Sequence, residues 1–153
     1  MNMGVYQFKR DQFIKVDLEE LWEFISNPKN LSVITPDAMN FNIISKVPEK
    51  MYPGLMIHYK VSPLPLYRTN WVTEITYVEH LKYFVDEQRH GPYKIWHHEH
   101  FLEPLNDGVL MRDIITYQPP FGLLGVFANK LLIHNQISRI FDYRKEKLNE
   151  IFG

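Results

Sequence analysis

Cysteine is absent from all 153 residues, which excludes disulfides, thiolate metal ligands and cysteine nucleophiles together. An excess of either charge is also missing. Seventeen Lys and Arg face 18 Asp and Glu, a formal net charge of -1, so the basic field of a protein held to nucleic acid through phosphates is excluded and no nucleic-acid partner is expected. Long hydrophobic runs are missing as well. The longest uncharged stretch, Ile114 to Asn129, is broken by Pro119, Pro120, Gly122 and Gly125 and is too brief to span a bilayer, so no stable membrane insertion is expected. Met1–Asp11 has no apolar run behind a basic start; no secretory leader is expected, and a cytoplasmic location is the default expectation. Neither G-x-S-x-G, G-x-G-x-x-G nor a P-loop occurs, which removes the nucleophile elbow and the usual nucleotide-binding loops.

What remains is a chain that is 45% hydrophobic and 23% charged, of a length suited to one domain over residues 1–153. Two features stand out. Aromatic residues make up 14% of the chain, and four of the seven histidines, His90, His97, His98 and His100, crowd into one short stretch.

Hydropathy period divides the chain into three parts. Val5 to Val16 alternates as a first strand, followed by Asp17 as N-cap with Glu20 completing a capping box. A helix then presents Leu18, Leu21, Trp22 and Ile25; Pro28 opens a second short helix, which ends at Thr35-Pro36. From Phe41 the period becomes two, predicting strands Phe41–Val47, Met56–Val61, Tyr67–Val78, Tyr83–His90, Tyr93–Leu102 and Val109–Tyr117. Their short connections require antiparallel pairing. The last thirty residues read as one long amphipathic helix, with Leu124, Phe127, Leu131, Ile133, Ile137, Ile140, Phe141, Leu148 and Ile151 on the apolar stripe. Arg139, Arg144 and Lys145 fall on its solvent side. The predicted fold class is therefore α+β: a curved antiparallel sheet of about seven strands wrapped around a C-terminal helix, with two short helices after strand 1.

The turn at Asn106-Asp107 sets a register in which Leu102 faces Met111, His100 faces Asp113, His98 faces Ile115 and Trp96 faces Tyr117. These eight residues share one face, expected to point inward, while His97, Glu99, Arg112 and Thr116 point to solvent. In the preceding hairpin, Phe84, Asp86 and Gln88 share a face, as do Trp71, Thr73, Ile75 and Tyr77. One register brings both sets inside.

The ordered segments Leu31-Ser32-Val33-Ile34-Thr35-Pro36, Phe84 to Gln88, Gly91-Pro92-Tyr93, Trp96-His97-His98-Glu99-His100 and Met111-Arg112-Asp113, with Tyr117 and Pro120-Phe121-Gly122, resemble an uncharacterised ligand-binding branch of the START / polyketide cyclase / pollen-allergen (SRPBCC) superfamily, sometimes labelled cell-division-inhibitor-like. The resemblance spans nearly the whole chain. It implies the helix-grip fold with an apolar cavity between sheet and last helix, but chooses no activity, because the superfamily holds carriers, hormone-binding proteins, cyclases, dehydratases and co-chaperone-like domains. Leu102 departs from an aromatic residue expected there.

Three roles compete for His98 and His100. They form a polar cavity wall that hydrogen-bonds a ligand oxygen, with Asp113 orienting His100; or a self-satisfied core network with the carboxylates; or ligands to a metal with Asp86 or Asp113 as third, although no further closing motif is visible. The expected site is Trp71, Gln88, Trp96, Met111 and Tyr117 around His98, His100 and Asp113, with Phe41 and Tyr59 beside them. Its expected function is to bind a small, mostly apolar or amphipathic molecule (lipid, sterol-like or polyketide-like) with no cofactor and no metal. The alternative is a cofactor-independent cyclase or dehydratase with His98, His100 and Asp113 as candidate acid/base residues. For Pro119–Gly125, a plain loop whose Phe121 and Leu124 dock on the core is preferred to a hinged entrance.

Overall fold

In a computed structural model, which describes residues 4–153, the two-residue alternation condenses into a single sheet. The first three residues, and with them the start of the stretch read for a leader, lie outside the described residues. The order is β1 (Tyr6–Ile14), α1 (Leu18–Ile25), two 3-10 turns (Pro28–Ser32 and Asp37–Met39), β2 (Asn42–Ile43), β3 (Met56–Leu64), β4 (Tyr67–Glu79), β5 (Tyr83–His90), β6 (Ile95–Leu105), β7 (Gly108–Gln118), α2 (Gly122–Ala128), a π turn (Asn129–Ile133) and α3 (His134–Phe152). The seven strands lie in the order β1-β7-β6-β5-β4-β3-β2, every neighbouring pair antiparallel. This is the predicted α+β architecture. Among the described residues, no helix is long and apolar enough to cross a membrane.

Local chemistry accounts for the ends of the elements. Asp17 holds the extended N-cap conformation of α1, but its side chain makes no cap hydrogen bond, so the expected capping box with Glu20 does not form. Glu19 and Glu20 still place negative charge in the first turn, where the helix dipole favours it. Asn27 caps the next turn instead: its Oδ1 accepts from the Lys29 backbone N–H at 3.0 Å, with Pro28 at the first position. The strand expected over Phe41–Val47 shortens to Asn42–Ile43, its continuation reduced to Ile44 and Ser45 N–H bonds to the His58 carbonyl.

The C-terminal helix packs across the sheet with its buried side running from Gly125 and Asn129 through Ile133, Ile137 and Phe141 to Leu148. This corrects the predicted stripe at its start. Leu124, Phe127 and Leu131 are 73%, 66% and 68% exposed, and Phe121 is exposed too, so Phe121 and Leu124 do not dock on the core. The reason lies in two positions that the stripe skipped. A Cβ on Gly125 would fall 2.1 Å from the Pro120 carbonyl oxygen, so only glycine permits this approach. Asn129 Oδ1 accepts from the Tyr117 hydroxyl at 2.7 Å. With Gly125 and Asn129 held inward, helical geometry turns the intervening leucines and Phe127 outward.

Polar residues of β1 tie α3 to the sheet edge. Arg10 pairs with Asp142 at 2.5 Å and donates to Ser138 Oγ, while Gln12 Nε2 donates to the Lys145 carbonyl and to Asn149 Oδ1. One apolar cluster, including Phe8, Ile115, Ile137 and Phe141, fills the space nearest α2. Another, including Leu21, Trp22, Leu102 and Leu148, fills the space under α1. A third, including Ile57, Tyr59, Trp71 and Ile75, borders what the two leave open.

Candidate functional site

Strand register assembles the site. The β6–β7 hairpin pairs Leu105 with Gly108 and then Leu102 with Met111, His100 with Asp113, His98 with Ile115 and Trp96 with Tyr117, as the turn predicted. On the other side of β6, Asp86 pairs with His98 and Phe84 with His100. Two carboxylates on flanking strands therefore bracket two imidazoles on the central one. The β4–β5 register holds as expected from Thr73–Gln88 to Ile75–Asp86, but a bulge between Ile75 and Tyr77 shifts the strand. Tyr77, expected on the inner face with Trp71, Thr73 and Ile75, is consequently turned out, where its ring stacks on Tyr83 at 4.8 Å.

The imidazoles and carboxylates form a closed set. His98 Nε2 lies 2.8 Å from Asp113 Oδ1 and its Nδ1 3.5 Å from Asp86 Oδ2. His100 Nε2 lies 2.6 Å from Asp86 Oδ2 and its Nδ1 3.0 Å from Asp113 Oδ1. Their ring centroids are 3.6 Å apart, and the Phe84 ring stacks on His100 at 4.0 Å. Asp113, 2% exposed, sits behind both rings. Arg144 completes the set from α3, its Nη1 3.6 Å from Asp113 Oδ1 and its guanidinium 4.6 Å from the Phe141 ring centroid. Placing Arg144 on the solvent side of the helix is thus corrected: it occupies the inward position between Phe141 and Leu148 and is 8% exposed.

Burial and charge divide the four titrating groups. Burial, together with the neighbouring His100 charge, pushes His98 down to about 4. Burial opposes charge on His100 as well, but its bonds to Asp113 and Asp86 outweigh that penalty and raise it. For Asp86 burial is outweighed by the charge of His98 and the bond from His100, and for Asp113 by the bonds from His100 and His98, so both carboxyls fall below the ordinary carboxylate range. These shifts favour charge on both carboxylates and on His100 and oppose it on His98, so negative groups sit directly against positive ones, which is what makes the burial of the set tolerable.

A cavity of about 170 Å³ opens against this set, between the sheet, the 3-10 turns and α3. Of the expected site residues, Phe41, Tyr59, Trp71, Trp96, His98, His100 and Met111 line it. The others lie elsewhere. Asp113 is screened by the imidazoles. Tyr117 is wholly buried with its hydroxyl committed to Asn129. Gln88 clamps the β5–β6 turn, its Nε2 donating to the Tyr93 carbonyl at 2.6 Å and its Oε1 accepting from the Tyr93 N–H at 3.1 Å. His97 points outward, as expected, to Glu87 at 2.8 Å. The cavity also has walls outside the expected site: Asp86, Tyr93, Ile140 and Arg144. The signal for Arg144 was its spacing, three residues after Phe141 and four before Leu148; reading its charge alone put it in water.

Two buried donors on residues that line the cavity find no partner among the described residues: Trp71 Nε1 and Arg144 Nε. Tyr59, by contrast, has its hydroxyl 3.1 Å from Thr73 Oγ1. Asp86, His98 and His100 also place one ligating atom each within 4.8 Å of one another, a set able to hold a metal ion.

No protein-family model matches the chain, and no curated protein is similar enough in sequence to match. Solved structures do match along its length. The Thermus thermophilus protein TTHA0849 is 12% identical with a TM-score of 0.71, covering 97% of this chain and 100% of its own. The major latex-like protein 151 of Panax ginseng is 12% identical with a TM-score of 0.71, covering 97% of this chain and 98% of its own. A Thalictrum norcoclaurine synthase point mutant, in complex with a transition-state analogue, is 12% identical with a TM-score of 0.67 and covers 97% of each chain. Seven antiparallel strands around a C-terminal helix, matching these proteins along nearly their whole length, give this chain the helix-grip fold expected from its sequence.

Proposed function

We propose that residues 1–153 act as one unit that binds a small, mostly apolar molecule carrying a hydrogen-bond acceptor, with its apolar body among Phe41, Tyr59, Trp71 and Trp96. The observation that carries this reading is the pair of orphaned donors, Trp71 Nε1 and Arg144 Nε, buried in residues that line the cavity. A buried donor without a partner costs about 1–3 kcal/mol, and a carbonyl, ether or acid oxygen on a ligand relieves that cost. The neutral His98 adds a polar contact for a hydroxyl.

The test uses 8-anilinonaphthalene-1-sulfonate, an aromatic anion, with tryptophan emission as the readout. Binding is expected to quench Trp71 and Trp96, and Trp71→Phe is expected to weaken it about three- to tenfold by deleting one hydrogen bond worth roughly 1 kcal/mol. Unquenched emission, or equal affinity in Trp71→Phe, counts against the reading. Native mass spectrometry of the purified chain checks for a retained small molecule.

The second reading is a cofactor-independent cyclase or dehydratase, favoured by the norcoclaurine synthase likeness. In its support, His98 is neutral, the state required of a base. Against it, a group pushed down to about 4 is a weak base near pH 7, and both nitrogens of His100 face carboxylates. Binding without turnover is therefore the preferred reading.

A further inference from the structure

We propose that Asp86, His98 and His100 bind one divalent transition-metal ion of the zinc or iron(II) kind, with Asp113 as the residue that orients both imidazoles. This goes beyond ligand binding and departs from the metal-free site expected from sequence. Beyond the pairing of His100 with Asp113 read from the register, the structure sets Asp86 Oδ2 against a nitrogen of each imidazole, with Asp113 on their other nitrogens.

Each imidazole has two nitrogens, and in its neutral form only one of them donates. Asp113 Oδ1 lies 2.8 Å from His98 Nε2 and 3.0 Å from His100 Nδ1. With a metal bound, Asp113 accepts the N–H of both rings and so orients them; without it, His100 Nε2 is hydrogen-bonded to Asp86 Oδ2 at 2.6 Å. His98 Nδ1 lies 3.5 Å from the same oxygen, and the two nitrogens present lone pairs there once the proton of the His100–Asp86 bond is released. A single proton between His100 and Asp86 satisfies one of these contacts and leaves His98 Nδ1 facing a carboxylate oxygen. A divalent cation satisfies all three atoms together. Histidine ligands that donate their remote N–H to a buried carboxylate are the usual support of a bound metal.

The donor set decides the class of ion. Two imidazole nitrogens and one carboxylate oxygen suit zinc or iron(II), with bonds of about 2.0–2.2 Å, rather than calcium or magnesium. Rotation of the three side chains has to draw together atoms now spread over as much as 4.8 Å. Arg144 sits against Asp113, the supporting carboxylate. Three protein ligands leave a coordination position for water or a ligand oxygen, and all three side chains line the cavity.

The test uses the ion alone, so its outcome is independent of any organic ligand. The chain, stripped with a chelator, is titrated with Zn²⁺ by calorimetry and with Co²⁺ by visible absorption. One ion per chain is expected, with ring resonances of His98 and His100, not of His97, shifting in the NMR spectrum of the unsubstituted protein. Asp86→Asn and His98→Gln are each expected to lose at least 100-fold in affinity. Asp113→Asn should lose 10- to 100-fold while keeping the stoichiometry, as an orienting residue does. His97→Gln should bind as the parent does. Failure of the parent chain to bind one ion overturns the proposal whatever the stability of the variants, and so does full binding by a folded Asp86→Asn.

Discussion

The two walls of the cavity are built by different rules. On the aromatic side, Phe41, Tyr59, Trp71, Tyr93 and Trp96 touch one another in series, with ring centroids 4.7–6.0 Å apart. Each ring has several apolar neighbours, so loss of one interaction leaves the rest in place. On the polar side, every member depends on the others for its charge state. Asp113 alone faces two imidazoles and a guanidinium. Apolar packing is redundant; a buried set of mutually paired charges is not.

The sharpest break in this comparison is Asp113→Ala. It leaves two buried imidazoles and a guanidinium with the single carboxylate of Asp86, and a loss of about 3–5 kcal/mol is expected, read as a lowered midpoint in urea unfolding. Protonation strains the same wall next. His98 is pushed from 6.5 down to about 4 in the folded chain, so the unfolded chain binds the extra proton between these values. Stability should therefore fall by about 3 kcal/mol as pH drops from 6.5 to 4. His100 is shifted upward, so its contribution is complete below 6.5 and fades as pH rises through its folded value. With Asp86, Asp113 and Arg144 as the charged groups set around the pair, unfolding free energy should rise from pH 4.5 to 6.5 through His98, while His100 works against any further gain from 6.5 to 8.5. A stability unchanged between pH 4.5 and 6.5 would contradict the assignment of His98. The mildest change belongs to the aromatic side: Tyr59→Phe removes only the bond to Thr73, and about 0.5–1.5 kcal/mol should be lost. If Tyr59→Phe costs as much as Asp113→Ala, the distinction between the walls disappears.

How far the sequence revealed all this differs between elements for physical reasons. The β6–β7 pairing was legible because a two-residue turn at Asn106-Asp107 pins the register, and alternation then carries it as far as Trp96 and Tyr117. The bulge that ejects Tyr77 left no comparable mark, since one extra residue in a strand changes no composition. The start of the C-terminal helix misled for a different reason. Its inward positions hold Gly125 and Asn129, chosen for a close backbone approach and for a tyrosine hydroxyl, while its large apolar residues face water. Hydropathy assigns a side to each residue by its type, and here the fit of two small or polar residues decided instead. Arg144 escaped for the same reason, because its burial depends on carboxylates more than thirty positions away in the chain. Gln88 was placed on the correct strand face, yet its amide serves a turn rather than a guest.

That turn limits how the cavity can be reshaped. A Cβ at Gly91 would stand 2.5 Å from Gln88 Oε1, an atom held in place by the amide's two bonds to Tyr93. Position 91 is thus closed to every other residue unless the amide lets go, and letting go frees Tyr93, whose ring bridges Trp71 and Trp96. Engineering room for a longer guest should begin at residues 57 and 75 in the sheet floor, where shortening an isoleucine adds volume and leaves this latch untouched.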